Sequence, residues 1–139
     1  MIDELDIKII WSLFEDPNRP LDQIAKDLGV SKGTVRNRII KLKKKHIIVG
    51  SSLKVNWREV GVDEVYLGIN IRPELYLKVL DIIKGLEFVK MLVSTSGDHS
   101  AIAYIIDESG RIMDDISKIN NIEGVEKTYP AFVTSMIKW

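Results

Sequence analysis

The chain has 139 residues, 45% apolar and 29% charged, with 20 basic and 20 acidic side chains and no cysteine. That composition suits one or two small globular domains and excludes disulfides, thiolate catalysis and zinc sites built on sulfur. His46 and His99 are the only histidines, so no metal site is expected. No apolar run reaches the roughly 18 residues of a membrane span, and the acidic start Met1-Ile-Asp-Glu4 does not read as a signal peptide. A cytoplasmic location away from membranes is expected.

The charge is unevenly distributed. Met1 to Arg58 holds 12 basic against 7 acidic residues, a net of +5, whereas Glu59 to Trp139 holds 8 against 13, a net of −5. Ser31 to Arg58 carries nine Lys and Arg residues and no carboxylate. One half of a neutral chain is therefore suited to a polyanion, and the other half to a different task.

In chain order, Ile2, Leu5, Ile9 and Leu13 recur at helical spacing and predict a first helix up to about Glu15. Pro17 and Pro20 break it. Leu21, Ile24, Ala25 and Leu28 form one face of a short second helix, and Gly29 follows where a left-handed residue is commonly needed. Ser31 is placed to cap a third helix with the apolar stripe Val35, Ile39 and Leu42.

Helix, short turn, helix is the helix-turn-helix arrangement. With that stripe inward, Gly33, Asn37 and Lys44 lie opposite it, flanked by Thr34, Arg36 and Lys41, with Arg38 nearer the core boundary. Asn37 can bond adenine through two atoms, and Arg36 or Arg38 can address guanine or a phosphate. Lys41, Lys43 and Lys44 suit phosphates. The candidate DNA-binding residues are Ser31, Lys32, Gly33, Thr34, Arg36, Asn37, Arg38, Lys41 and Lys44. Ile40 also faces outward, towards a thymine methyl or a neighbouring wing. Ile47 to Val55 reads as two short strands about Gly50-Ser51-Ser52, a hairpin that would make the unit a winged helix. His46, at the exit of the third helix, reads as a cap.

The periodicity lapses from Trp57 to Asp63, which predicts a linker. Val65, Leu67, Ile69 and Ile71 alternate as a strand; Leu75, Val79, Ile82, Ile83 and Leu86 make a helical stripe; Val89, Met91 and Val93 alternate again. Ser96-Gly97-Asp98 is a turn, and Ser100 to Ile106 is a strand apolar on both faces. Ile112, Ile116 and Ile119 mark another helix, and Val125 to Ile137 a last strand. The order βαββαβ is ferredoxin-like. The expected fold class is thus α+β, with a winged helix-turn-helix at 1–50, a wing strand and linker at 51–63, and a ferredoxin-like domain at 64–139. Both helices cover one sheet face, so a second subunit is expected on the other, giving a homodimer that reads two half-sites.

Several of these segments resemble the Lrp/AsnC (feast/famine) transcriptional regulators. They are Leu5-Asp-Ile-Lys-Ile-Ile10, Arg19-Pro-Leu-Asp-Gln-Ile-Ala-Lys-Asp-Leu-Gly-Val-Ser31, Thr34-Val-Arg-Asn-Arg-Ile39 and Ile47-Ile-Val-Gly50, then Val93-Ser-Thr-Ser-Gly-Asp98 and Ile122-Glu-Gly-Val125. The resemblance spans nearly the whole chain. It implies sequence-specific binding of double-stranded DNA, dimers that assemble into tetramers or octamers, and control by a small effector, typically an amino acid, with no cofactor. It also places the groove-reading positions at Ser31, Thr34, Arg36, Asn37 and Arg38, and an effector site at Gly97, Asp98, His99 and Ser100. The family's effector turn often reads Gly-Asp-aromatic-Asp, whereas here Ser100 stands in place of the second carboxylate.

That departure keeps open an effector-independent architectural protein that compacts DNA. His99 also reads as an exposed turn residue, and Gly97-Asp98 as simple turn chemistry. A third reading, a haem decarboxylase of related build, has only two histidines to work with, so the chain does not read as an enzyme.

Overall fold

A computed structural model describes Met1–Trp139 as two compact units, Met1–Leu53 and Lys54–Trp139. The first contains α1 (Glu4–Glu15), α2 (Leu21–Leu28) and α3 (Lys32–Lys44). Asp3 caps α1: its Oδ1 accepts from the Asp6 N–H at 3.0 Å, and Asp6 Oδ2 accepts from the Asp3 N–H at 3.1 Å. This reciprocal pair satisfies two donors that a helix start otherwise leaves unbonded. Ile9, Ile24, Ala25 and Val35 form the buried centre, with Leu5, Leu13, Leu21, Leu28, Val30 and Ile39 packed around it.

Helices α2 and α3 end in the same way. Gly29 is left-handed, φ 68°, with the Val30 N–H on Ala25 O and the Gly29 N–H on Lys26 O. At the end of α3 the left-handed residue is His46, φ 57°, with the Ile47 N–H on Leu42 O and the His46 N–H on Lys43 O. Both are Schellman closures. His46 therefore ends α3 through its backbone, in a conformation that costs a side-chain-bearing residue about 1–2 kcal/mol.

The expected wing hairpin does not form: residues 47–56 contain no strand. Gly50 lacks the positive φ of a tight hairpin turn, and Val49 and Leu53 are 85% and 86% exposed. A two-stranded ribbon without a third strand or a core to lie on is marginal in water. The first unit is a helix-turn-helix without a strand-built wing.

The second unit contains β1 (Val62–Ile71), α4 (Tyr76–Lys84), β2 (Val89–Ser94), β3 (Ala101–Glu108), α5 (Ile112–Asn120) and β4 (Val125–Phe132). The sheet order is β2-β3-β1-β4, with every neighbouring pair antiparallel. Val65, Leu67, Ile69, Ala103 and Ile105 meet Val79, Ile83, Ile116 and Ile119 in one core on the helical side. The predicted βαββαβ order is present. The expected linker at 57–63 is instead a 3-10 turn, Trp57–Val60, leading directly into β1. It is tied down by Arg58, whose guanidinium donates to the Thr134 carbonyl. The last strand ends at Phe132 rather than Ile137. It is an edge strand, which is why Pro130 is tolerated within it.

Candidate nucleic-acid interface

Helix α3 begins as expected. Ser31 Oγ accepts from the Thr34 N–H at 3.1 Å and lies 2.8 Å from Thr34 Oγ1, so both hydroxyls are engaged at the helix start. Val35 and Leu42 are buried, whereas Lys32, Gly33, Arg36, Asn37, Ile40, Lys43 and Lys44 are exposed. Lys32 Nζ lies 3.6 Å from Asp22 at the surface. Arg36, Asn37 and Lys44 thus share an outward face that a rigid core holds from behind.

Arg38 and Lys41 sit differently. The Arg38 guanidinium reaches Asp3 Oδ2 at 2.6 Å and Asp6 Oδ1 at 3.2 Å, and Lys41 Nζ reaches Asp6 Oδ2 at 3.1 Å. Asp6 is fully buried. Burial alone would push its carboxyl pKa up, but the Asp3 N–H, Lys41 and Arg38 together hold it well below the usual carboxylate range. Arg38 likewise holds Asp3 low, and the Arg38 pKa rises in return. These two cations bind α3 to α1, which sets them apart from the outward-facing residues. The sequence signal was available: Asp6 is a carboxylate placed between Leu5 and Ile9 on a buried stripe, and such a charge needs a partner.

In the second unit, Gly97, Asp98, His99 and Ser100 line an open cleft of ≈ 500 Å³ with Tyr76 and Glu126. The Ser100 hydroxyl accepts from the Ile71 N–H at 3.2 Å, and Tyr76 donates to the Ser100 carbonyl at 2.8 Å. His99 is half-buried, contrary to its reading as an exposed turn residue. Its ring lies on Gly68, where an added Cβ would come within 2.7 Å of it. Nδ1 is 3.1 Å from Asn70 Oδ1, and the Tyr129 ring centroid is 4.8 Å away. The absence of a side chain at Gly68 provides that seat, which could not be inferred without the strand register. Asp98 and Glu126 are the carboxylates of the lining.

The sheet face away from the helices is apolar and open in the single chain. Tyr66 and Tyr104 stack at 4.9 Å beside exposed Met91, Val93 and Tyr129. The Tyr104 hydroxyl donates to the nearly buried Glu64; burial, then Glu64, push its pKa far up.

Residues 2–43 match the AsnC-type helix-turn-helix domain. The chain is 38% identical over 141 aligned residues to the HTH-type transcriptional regulator LrpA of Pyrococcus horikoshii, covering 99% of this chain and 100% of that protein. The solved structure of E. coli AsnC is 26% identical with a TM-score of 0.73, over 100% of this chain and 96% of that one. A Neisseria meningitidis transcriptional regulator solved as an L-Met complex is 15% identical, with a TM-score of 0.78 over 100% and 94% of the two chains; it shares the fold. The class is that of helix-turn-helix transcriptional regulators. Within it, this chain belongs to the Lrp/AsnC family.

Proposed function

We propose that this Lrp/AsnC-type regulator binds a preferred double-stranded DNA sequence as a dimer or larger assembly, in the cytoplasm, under the control of a small molecule. The observation that carries the proposal is the outward face of α3, where Arg36 and Asn37 stand exposed on a helix capped by Ser31 and braced by buried Asp6. An arginine and an asparagine in adjacent positions suit guanine and adenine edges in the major groove. Lys43 and Lys44 suit phosphate. The second copy would lie on the apolar sheet face beside Tyr66 and Tyr104, as an open patch of this kind favours a partner. Two-fold symmetry then presents two reading helices.

The effector is proposed to enter the cleft beside Gly97, Asp98, His99 and Ser100. An α-ammonium group suits Asp98 and Glu126, and the Neisseria regulator that shares this fold was solved as an L-Met complex. Selection of bound DNA from a random pool, with and without mixed amino acids, tests both parts: enrichment of one motif supports a specific regulator, and recovery of unrelated sequences defeats it. Ser100 favours one second reading, an effector-independent DNA architect, because its hydroxyl already serves the Ile71 N–H. Such a protein would give no binding heat with any amino acid.

A further inference from the structure

Helix α1 carries apolar side chains on two opposite sides. Leu5, Ile9 and Leu13 turn inward and pack in the core of the N-terminal unit. Ile7, Trp11 and Phe14, spaced i, i+4 and i+7, share the outer side and stay exposed, Trp11 to 61% and Phe14 to 73%. The two rings meet edge to face at 5.7 Å and so form one ridge. On α2 and α3 the only large apolar side chain left exposed is Ile40. Single exposed apolar residues are ordinary, but three aligned on one helix face mark a contact surface.

The charges beside the ridge decide what can cover it. Glu4, Lys8 and Glu15 run along one flank, and Asp16 follows the end of α1, whose last turn has no basic residue. Three carboxylates against one ammonium repel DNA and anionic lipid alike. A second copy of α1 fits instead. In an antiparallel pair related by a two-fold axis at Trp11, the same flank of both helices meets. Lys8 lies three residues before Trp11 and Glu15 four after it, so Lys8 of each copy comes opposite Glu15 of the other. In the single chain Lys8 Nζ is 3.2 Å from Glu4, and Glu15 is 3.8 Å from Arg19. Surface pairs of this kind contribute little and exchange readily.

We propose that the Ile7-Trp11-Phe14 ridge pairs, antiparallel, with the same ridge of a second copy, between molecules bound at neighbouring DNA sites. The inference rests on the DNA-binding reading above. Three side chains per copy fall short of the roughly 800 Å² per partner that a stable interface buries, so the contact is weak in free solution. Molecules held side by side on one duplex meet at a far higher effective concentration, and the contact then shows itself as cooperative binding. It is separate from the contact proposed for the C-terminal units beside Tyr66 and Tyr104.

Gel-shift titration of the full chain tests this on duplexes carrying one or two copies of the selected motif, the two spaced at several multiples of roughly 10 base pairs. Circular dichroism verifies that each variant folds. At one spacing or more, the wild type should fill the second site at least tenfold more tightly than the single site. Trp11→Ala should lower that ratio at least fivefold with single-site affinity unchanged. Lys8→Glu and Glu15→Lys should each lower the ratio, and the two changes together should restore it. The proposal is overturned if the wild type binds the two sites independently at every spacing, or if Trp11→Ala leaves the ratio unchanged. Failure of the double exchange to restore the ratio assigns the ridge to another partner and also overturns it. If the wild type does not bind the single-motif duplex, the DNA-binding reading fails and the proposal falls with it.

Discussion

The buried carboxylate of Asp6 on α1 lies 3.2 Å from the guanidinium of Arg38 on α3, so the helix proposed to read DNA is fixed to the first helix by a charge contact. Asp6 also accepts from the Asp3 N–H and from Lys41. One side chain thus begins α1 and orients α3.

Asp6→Ala should destabilise the N-terminal unit by about 1–3 kcal/mol, since it removes the acceptor of the Asp3 N–H and the carboxylate that Arg38 and Lys41 reach. The sign with pH is fixed by the lowered pKa of Asp6. Its stabilisation is present above the unfolded carboxyl pKa of about 4 and is lost as pH falls further towards the folded value. The gap between urea melts of wild type and Asp6→Asn should narrow as pH falls from about 4 to 2.5 and stay constant from about 5 to 7. Parallel curves would remove Asp6 from this role.

Arg36→Ala and Arg38→Ala should separate cleanly. Losing Arg36 should weaken binding to the preferred DNA site by about 1–3 kcal/mol and relax base choice, with the melting temperature unchanged. Losing Arg38 should lower the melting temperature, because its guanidinium holds Asp3 and Asp6. Lys44→Ala should weaken all sequences alike and reduce the salt slope by about one. Fluorescence anisotropy at several salt concentrations measures the binding, and thermal melts of the free proteins measure the stability.

Gly68→Ala should displace the His99 ring, because the new Cβ would meet it at 2.7 Å. Overpacking of this kind costs about 1–3 kcal/mol. The His99 imidazole resonances should shift as the Asn70 contact is lost. An unchanged His99 spectrum would show that the ring does not sit on Gly68.

Asp115 titrates in the opposite sense to Asp6. Burial first, then Asp107, push its carboxyl up to about 6; Asp114 adds to this and Lys118 opposes it, while Arg111 and Lys90 act on Asp107. Its contribution is therefore fully present below the unfolded pKa of about 4 and is lost as pH rises through about 6. Asp115→Asn should remove that decline, so the variant should gain stability relative to wild type between pH 4 and 7. Equal pH profiles would refute it.

His46→Gly should raise stability by about 0.5–1 kcal/mol, since the left-handed position then carries no side-chain clash, less the entropy of glycine. A thermal melt reads this directly. A fall in stability would mean that the His46 side chain contributes more than its backbone strain costs.

The helices of the first unit were legible because Val35, Ile39 and Leu42, like Leu21, Ile24 and Leu28, repeat at the spacing of a single helical face. The βαββαβ order was legible for the matching reason: Val65, Leu67 and Ile69 alternate, whereas Ile112, Ile116 and Ile119 do not. Contacts distant in sequence were not legible. The ion pairs of Arg38 could not be read from the sequence because its partners lie 35 and 32 positions away. The seat of His99 depends on the pairing of Gly68 with Ile102 and Tyr129, which no local pattern reveals. Ile47 to Val55 misled in the other direction, since strand-like residues without a sheet to join remain unpaired.

The double duty of Asp3 constrains how this regulator can change. Its Oδ1 caps α1 and its Oδ2 holds Arg38. A DNA phosphate seeking that guanidinium must therefore compete with an internal carboxylate. A mutation removing Asp3 would free a cation for DNA while removing the cap that starts the fold. Tighter DNA grip and a sturdier scaffold are thus opposed at one residue, and lineages selected for higher affinity should alter Arg36 or Lys44 before they alter Asp3.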